Sequence, residues 1–349
     1  MIKNFIIGRY RGIENLELDD LKNVNIFVGP NNCGKTSILE AIILSGVFED
    51  VDLLVDTLIS RYHGFSTEYF ESLFPVGREP VICLKSRLGD GDKLLHTHLT
   101  YNKSQMISKD DSANVSNTFE LRFSYHYDGN SQQDETDKFL VRFEETKDNY
   151  RISFAGAPEN KLNCSIPCKF ISFSRFDRSE RLLKDIDTIL DQNLRDELIE
   201  VIKIFDSEIV NFEVIGKNRT IKLFKAGQEN PLTLYDFGNG MYKAFFIATS
   251  ALLSQDGILL VDEIEAGIHS KALAQFISKL LEVCDRKNVQ LFLTTHSLEA
   301  IDIILDDCKH NLDEIAVYHV KNQHKGTTSR RYSGKKLINL RNEIGFDVR

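Results

Sequence analysis

The sequence predicts an α/β fold: a mixed or parallel core sheet flanked by helices, with an antiparallel β-rich region inserted into it. Three observations lead there. In the second half, the nearly all-apolar runs "GILLVDE" and "VQLFLTTHS" alternate with the amphipathic stretches "SKALAQFISKLLEVC" and "LEAIDIILDD". Strands apolar on both faces belong to parallel sheets covered by helices, and strand–helix alternation marks a layered α/β core. Near the start, "NIFVGPNNCGKTSILEAI" has the pattern of a strand, a glycine-bounded loop and a helix. From Pro80 to Phe154, "PVICLKSRL", "LLHTHLTY", "TFELRFSYHY", "FLVRFEE" and "YRISFA" alternate apolar and polar residues between turn signals, the period of antiparallel strands.

Taken in order, the chain opens with a short strand from Lys3 to Ile7, a second stretch through Leu18, the strand "VNIFVG" and the helix "TSILEAIILS". From about Val47 to Phe74, apolar positions such as Val51, Leu54, Leu58 and Ile59 follow a helical spacing. The inserted sheet comes next, with the polar run Asp128 to Lys138 as an exposed hairpin loop. After the strand "KFISFS", a helical stretch is expected from Arg178 to about Phe205. A strand pair, "NFEVIG" and "RTIKLFKA", precedes "YDFGNGMYKAFFIATSALLS", whose second half is a helix. The expected organisation is one unit, 1–349, built from a loop-bearing segment (1–46), an inserted helical and antiparallel β region (47–165) and a final segment (166–349).

Composition limits the function classes. A chain of 349 residues with 42% hydrophobic content can bury a substantial core. A formal charge of −9 argues against a broad non-specific nucleic-acid surface, though not against a local basic patch. The six cysteines stand at positions 33, 83, 164, 168, 284 and 308, and only "CSIPC" brings two close, so free thiols in a reducing compartment are expected. "MIKNFIIGRYRG" is too short in its apolar part for a secretory signal, and no run approaches the ~20 apolar residues of a membrane span. A cytoplasmic protein without membrane partners is the expectation.

"GPNNCGKT", Gly29 to Thr36, has the spacing Gly, four residues, Gly-Lys-Thr. Glycines let such a loop turn its backbone N–H groups inward toward phosphate oxygens, a lysine reaches the outer phosphates, and the hydroxyl after it ligates Mg2+. The positive end of the following helix adds to the cradle. The candidate nucleotide-contacting residues are therefore Gly29, Pro30, Asn31, Asn32, Cys33, Gly34, Lys35, Thr36 and Ser37, with Thr36 on the metal. Cys33 is either a small residue tolerated beside phosphate or a point at which a thiol reagent would block binding.

"ILLVDE" ends in Asp262 and Glu263. Two carboxylates at the carboxyl end of a buried strand lie where ligands of open α/β sheets bind, and strand alternation points them different ways. Asp262 would hold Mg2+ through its water shell, and Glu263 would accept or orient the proton of an attacking water. His296 ends the strand of "LFLTTHS" and could hydrogen-bond a terminal phosphate.

These residues resemble the ABC-type ATPases of the branch that includes RecF, the SMC proteins and the OLD (overcoming lysogenization defect) ATPases. "NFIIGRYRGIENLELDDLKNVNIFVGPNNCGKTSILEAI" is similar to the opening of that branch, "LLVDEIEAGIHSKA" to its Walker B and D-loop, and "LFLTTHS" to its H-loop. The resemblance implies an ABC-type P-loop NTPase fold, ATP and Mg2+ as cofactors, and hydrolysis catalysed by Glu263 and His296. It places the signature motif in "YDFGNGMYKAFF", with Gly238, Asn239 and Gly240 contacting nucleotide held by a second subunit, hence a homodimer or higher homo-oligomer. Asn239 stands where a serine is usual. Arg11 falls where the branch touches base or ribose, a solvated edge position being the alternative; Ser174 and Arg175 are similarly open between nucleotide contact and surface.

The resemblance also narrows the relatives. No sustained heptads or Cys-x-x-Cys hinge speak for an SMC-type tether. Residues 297–349 are too few for a Toprim nuclease, which needs ~100 residues, so no nuclease activity of its own is expected. Stand-alone ATPases similar to this one occur beside a nuclease or toxin in anti-phage systems, which implies a switch or sensor controlling a separate effector. A RecF-like, ATP-dependent DNA-binding role in repair is the alternative, and the basic tail from Lys321 to Arg341 is compatible with DNA, an acidic partner or a solvated hairpin.

Overall fold

The computed structural model describes residues 1–45, 53–54, 57–58, 71–74, 81–89, 94–107, 115–128, 136–145, 150–155, 166–172, 179–217, 219–323 and 326–349. Most of the helical stretch expected between Val47 and Phe74 lies outside these residues, as do Cys164, Ser174, Arg175 and the middle of the Asp128–Lys138 run.

The chain begins with β1 (Ile2–Tyr10), β2 (Ile13–Leu18), β3 (Val24–Val28) and helix α1 (Lys35–Leu44). Strands β4 (Val81–Leu88), β5 (Leu94–Ile107), β6 (Val115–Asp128), β7 (Thr136–Glu145) and β8 (Tyr150–Ala155) follow. Next come β9 (Cys168–Ile171), α2 (Ser179–Asp191), α3 (Arg195–Ile202), β10 (Ile209–Ile215), β11 (Thr220–Lys225) and β12 (Leu232–Thr233). The remainder is α4 (Asn239–Leu252), β13 (Ile258–Val261), α5 (Ser270–Arg286), β14 (Gln290–Thr294), α6 (Leu298–Asp307), β15 (Ile315–Gln323), β16 (Gly326–Ser333) and α7 (Gly334–Ile344).

These elements form two compact units. The first comprises Met1–Leu21, Pro30–Ile166 and Val320–Arg330. Its sheet runs β2-β1-β4-β5-β6-β7-β8, antiparallel at every pair, as the two-residue periodicity predicts. One face is apolar and closed: Phe5, Leu84, Leu95, Leu99, Phe119, Phe123 and Phe143 are buried. The alternate positions Lys85, Arg87, His98 and Arg122 are exposed. Helix α1 packs against β1, and Thr97 of β5 donates to the carbonyl of Ser45 at the helix end, 2.5 Å away.

The second unit comprises Lys22–Gly29, Pro167–His319 and Arg331–Arg349. Its six-stranded sheet has the order β16-β15-β3-β14-β13-β9, with parallel pairing from β15 through β9. Strands β3, β13 and β14 are buried at every position. Because they are parallel and in register, with Val261 opposite both Ile171 and Leu293 and Leu293 opposite Ile26, their carboxyl ends align on one edge. A three-stranded antiparallel sheet, β10-β11-β12, completes this unit.

The helical stretch expected as one piece from Arg178 to Phe205 is two helices, α2 and α3. The apolar spacing continues through the join, but Asn193 takes a left-handed conformation (φ 57°), which a right-handed helix cannot accommodate, and asparagine is among the few residues that adopt it readily. The basic tail forms β15, β16 and α7, and some of its charge is taken up locally: Lys335 pairs with Asp313 and Arg341 with Asp302. Among the described residues no helix is long and apolar enough to cross a membrane.

Candidate functional site

The predicted site residues divide between the two units, and each set has its own geometry. In the first unit, the loop from Pro30 leads into α1, with Pro30, Asn31 and Asn32 exposed and Cys33 and Lys35 buried. The turn needs left-handed backbone at two places, Asn32 (φ 61°) and Gly34 (φ 101°). Gly34 has a second constraint, since a Cβ there would stand 3.1 Å from the Ile13 side chain. The Lys35 side chain folds back over the loop, its ammonium donating to the Pro30 carbonyl at 3.0 Å and lying 3.8 Å from the Cys33 sulfur. The loop thus closes around its own lysine.

Helix α1 is buried along almost its whole length, yet it carries Glu40 at 0% exposure. A buried carboxylate needs a charged partner and hydrogen bonds. Arg11 supplies the charge, with Nε 3.1 Å from Glu40 Oε2, and the Tyr10 hydroxyl donates to the same oxygen at 3.1 Å while accepting from Arg11 Nε at 2.9 Å. Arg11 itself sits at φ 52° and its N–H donates to the Leu73 carbonyl. The sequence leaves Arg11 either at the base or ribose or on a solvated edge; its guanidinium is largely buried and has a protein partner, Glu40, that no local sequence pattern announces.

In the second unit, Gly29 (φ 142°), Ser172, Asp262 and Thr295 directly follow β3, β9, β13 and β14, so all four stand on one sheet edge. Asp262 is buried; its Oδ1 accepts from Thr294 Oγ1 at 2.7 Å and its Oδ2 from Ser172 Oγ at 3.3 Å. Glu263 is half-buried and left-handed (φ 51°). Its N–H donates to Thr294 Oγ1 at 2.8 Å, and its carbonyl accepts from Lys243 Nζ. One threonine hydroxyl therefore bridges the two adjacent acidic residues. Glu265 ties in the next strand end: it accepts from the Thr295 hydroxyl at 2.8 Å and from the His296 N–H at 2.7 Å. His296 is half-buried, and its carbonyl accepts from Arg349 at 3.4 Å.

Gly238 (φ 83°) and Asn239 are exposed at the start of α4, after a turn closed by reciprocal bonds between Thr233 and Asp236. Gly240 is held against the segment after β13, where a Cβ would meet the Gly267 carbonyl oxygen at 2.4 Å. Four residues on from Asn239, Lys243 is fully buried. Burial pushes its ammonium down to about 8, against the pull of the carboxylates of Glu265, Glu263 and Asp262.

The structure thus brings Asp262, Glu263 and His296 into one hydrogen-bonded edge with Ser172, Thr294, Thr295, Glu265 and Lys243, and it holds Pro30 to Ser37 and Arg11 in the other unit. Hard oxygen donors suit a magnesium ion, which prefers one or two carboxylates plus substrate phosphate. The Asp262 carboxylate of the second unit and the Thr36 hydroxyl of the first are each donors of that kind.

Comparison with known proteins bears on the family and the fold. A Helicobacter pylori ATP/GTP phosphatase is 22% identical over 367 residues, covering 97% of both chains. A Methanocaldococcus jannaschii protein, MJECL11, is 31% identical over 112 residues, which is 32% of this chain and 98% of that protein. Among solved structures, the Smc head domain with an extended coiled coil bound to the C-terminal domain of ScpA, from Pyrococcus furiosus, superposes with a TM-score of 0.50 at 12% identity over 99% of each chain. That likeness shows the fold: an Smc-head-like α/β fold with a sheet that includes parallel strands and an antiparallel β-rich sheet. Since residues 24–302 match it, the chain belongs to the family described as "AAA domain, putative AbiEii toxin, Type IV TA system", and is an ATPase of the ABC/AAA type.

Proposed function

We propose that this ATPase binds ATP with Mg2+ through Gly29 to Ser37 and Asp262, hydrolyses it with Glu263 as the group that takes the proton of the attacking water, and closes as a homodimer around nucleotide. Lys35 would neutralise the outer phosphates, Thr36 and Asp262 would hold the metal, and His296 would bond the terminal phosphate. Gly238, Asn239 and Gly240 would reach nucleotide bound by the second copy. Magnesium bound there would neutralise charge on the transferring phosphoryl group. The observation that carries the reading is the Lys35 ammonium folded onto the Pro30 carbonyl, inside a loop whose backbone conformation only glycine adopts freely at position 34.

The biological role proposed is a switch: ATP-driven closure controls a separate effector, a nuclease or toxin, in anti-phage defence. Support comes from the family description, which names a putative toxin of a toxin–antitoxin system. The chain would work in the cytoplasm and leave nucleic-acid cleavage to its effector.

The tests are direct. Lys35→Ala should lose ATP binding by calorimetry, and Glu263→Gln should retain ATP while turnover falls and a dimer accumulates. Wild-type turnover in Glu263→Gln would remove Glu263 from its role. Isolation of the native complex with ATP should co-purify an effector; a monomer alone would remove the switch.

A RecF-like DNA-binding role is the second reading. It draws on the outer face of the first unit's sheet, where Lys85, Arg87 and His98 are exposed on neighbouring strands. It predicts ATP-dependent DNA affinity that falls steeply with salt.

A further inference from the structure

A fully buried lysine in the first turns of a helix calls for an explanation. Lys243 lies in α4, whose other buried residues are apolar or hydroxyl-bearing, and an apolar side chain of equal length would fill that space without desolvating a charge. What the ammonium does is specific: it donates to the main-chain carbonyl of Glu263.

Glu263 is a residue whose backbone needs holding. Its φ of 51° is a left-handed conformation that is strained for a residue with a Cβ, and such geometry persists where the surroundings over-determine it. Two side chains do so from two elements. Thr294 of β14 accepts the N–H on one side of the residue, and Lys243 of α4 donates to the carbonyl on the other. The direction in which the Glu263 carboxylate leaves the sheet edge follows from the two peptide planes so fixed. Moreover, Gly240 in the same helix turn abuts the Gly267 carbonyl, so α4 and the segment after β13 are packed without room to slide.

We infer that Lys243 is a positioning residue: by clamping the Glu263 carbonyl it aims the Glu263 carboxylate, and it makes that aim depend on the placement of the helix that begins at Gly238–Gly240. The inference rests on the reading of Glu263 as the group that handles the water proton. Displacement of that helix turn would then be transmitted to the carboxylate through the Lys243–Glu263 hydrogen bond.

The experiment uses the full chain with ATP and Mg2+, in four forms: wild type, Lys243→Met, Glu263→Gln and the double variant. Steady-state kcat and KM, ATP affinity by calorimetry and the melting temperature are measured for each. Lys243→Met should lower kcat by about 10- to 100-fold, the scale of an ångström-level misplacement, while ATP affinity stays within about threefold. In the Glu263→Gln background the same substitution should cost less than about twofold more, because it acts through the group already removed. A kcat within about twofold of wild type overturns the inference. So does loss of ATP affinity in step with kcat, or losses that multiply in the double variant, since a structural lysine would give those. Wild-type turnover in Glu263→Gln overturns the reading of Glu263 and the inference with it, whereas an inactive Glu263→Gln beside a fully active Lys243→Met overturns the inference alone. Should Lys243→Met not fold, Lys243→Gln, about one bond shorter in reach, is judged by the same split between kcat and affinity.

Discussion

Thr294→Val is the most revealing single change in this molecule. Valine has the shape of threonine without the hydroxyl, and position 294 is fully buried, so no cavity opens and the effect is one of hydrogen bonding alone. That hydroxyl donates to Asp262 at 2.7 Å and accepts from the Glu263 N–H at 2.8 Å. Loss of a bond to a charged group costs about 1.5–3 kcal/mol, and a buried N–H left without its acceptor about 1–3 kcal/mol. Because one hydroxyl serves both and the neighbours relax, the expected destabilisation is about 3 kcal/mol, a melting shift of roughly 6–12 °C for a unit of this size. Thr294→Ser keeps the hydroxyl and removes one methyl, for about 1 kcal/mol. Thermal unfolding by circular dichroism separates the two variants, and ATP turnover should fall in valine far more than in serine. If valine melts as high as serine and hydrolyses ATP as fast, the threonine does not organise the acidic pair and the picture of this sheet edge is wrong.

Three further outcomes are expected. Gly240→Ala brings a methyl against the Gly267 carbonyl oxygen and should destabilise by about 1–3 kcal/mol with loss of turnover, whereas Gly238→Ala meets nothing within 4 Å and should cost about 1–3 kcal/mol from backbone strain at φ 83°, ψ 169° alone; a wild-type melting temperature for Gly240→Ala would refute the contact. Glu40→Ala removes the carboxylate opposite the Arg11 guanidinium, 12% exposed, so it should destabilise by about 3 kcal/mol or more in thermal melts, and Arg11→Ala should do likewise by removing the charge opposite the buried Glu40. Burial pushes the Cys284 thiol up to about 12 and Cys308 to about 11, so at pH 8 only about one in 10,000 and one in 1,000 are thiolate, and both should resist a thiol reagent in the native state; mass spectrometry showing rapid native modification of Cys284 would contradict its burial.

The parts of this fold that could be read from the sequence are those whose cause is local. The alternation in "TFELRFSYHY" is a property of adjacent residues, and it becomes β6 with Phe119, Leu121 and Phe123 on the closed face. "ILLV" is apolar throughout because β13 has a strand on either side, α4 packed against it and every position buried, so the pattern and its cause occupy the same four residues. The strand, loop and helix around Lys35 were legible for the same reason, since the turn residues that make the loop possible are contiguous with it. The split between α2 and α3 was not, because the apolar period runs straight through Asn193 and only its backbone conformation records the break.

The supports of the site escaped for a different reason: they are joined by register and not by sequence distance. Thr294 looks like an ordinary β-branched strand residue in "LFLTTHS", and only parallel pairing of β14 with β13 puts its hydroxyl between Asp262 and Glu263. Ser172 reaches Asp262 only because β9 flanks the other side of β13, and Glu40 requires Arg11 from a separate strand end. Lys243 left a signal that could have been taken up. A lysine within "MYKAFFIATSALL" falls on a helix apolar nearly all round, and such a helix has no wet face on which to place an ammonium. A charge that cannot reach water must find a carbonyl or a carboxylate, and the nearest strand end rich in both is the one that closes with Asp262 and Glu263. Candidates for chemistry can be named from composition and spacing, but the groups that hydrogen-bond to them become visible only when the pairing of strands is known.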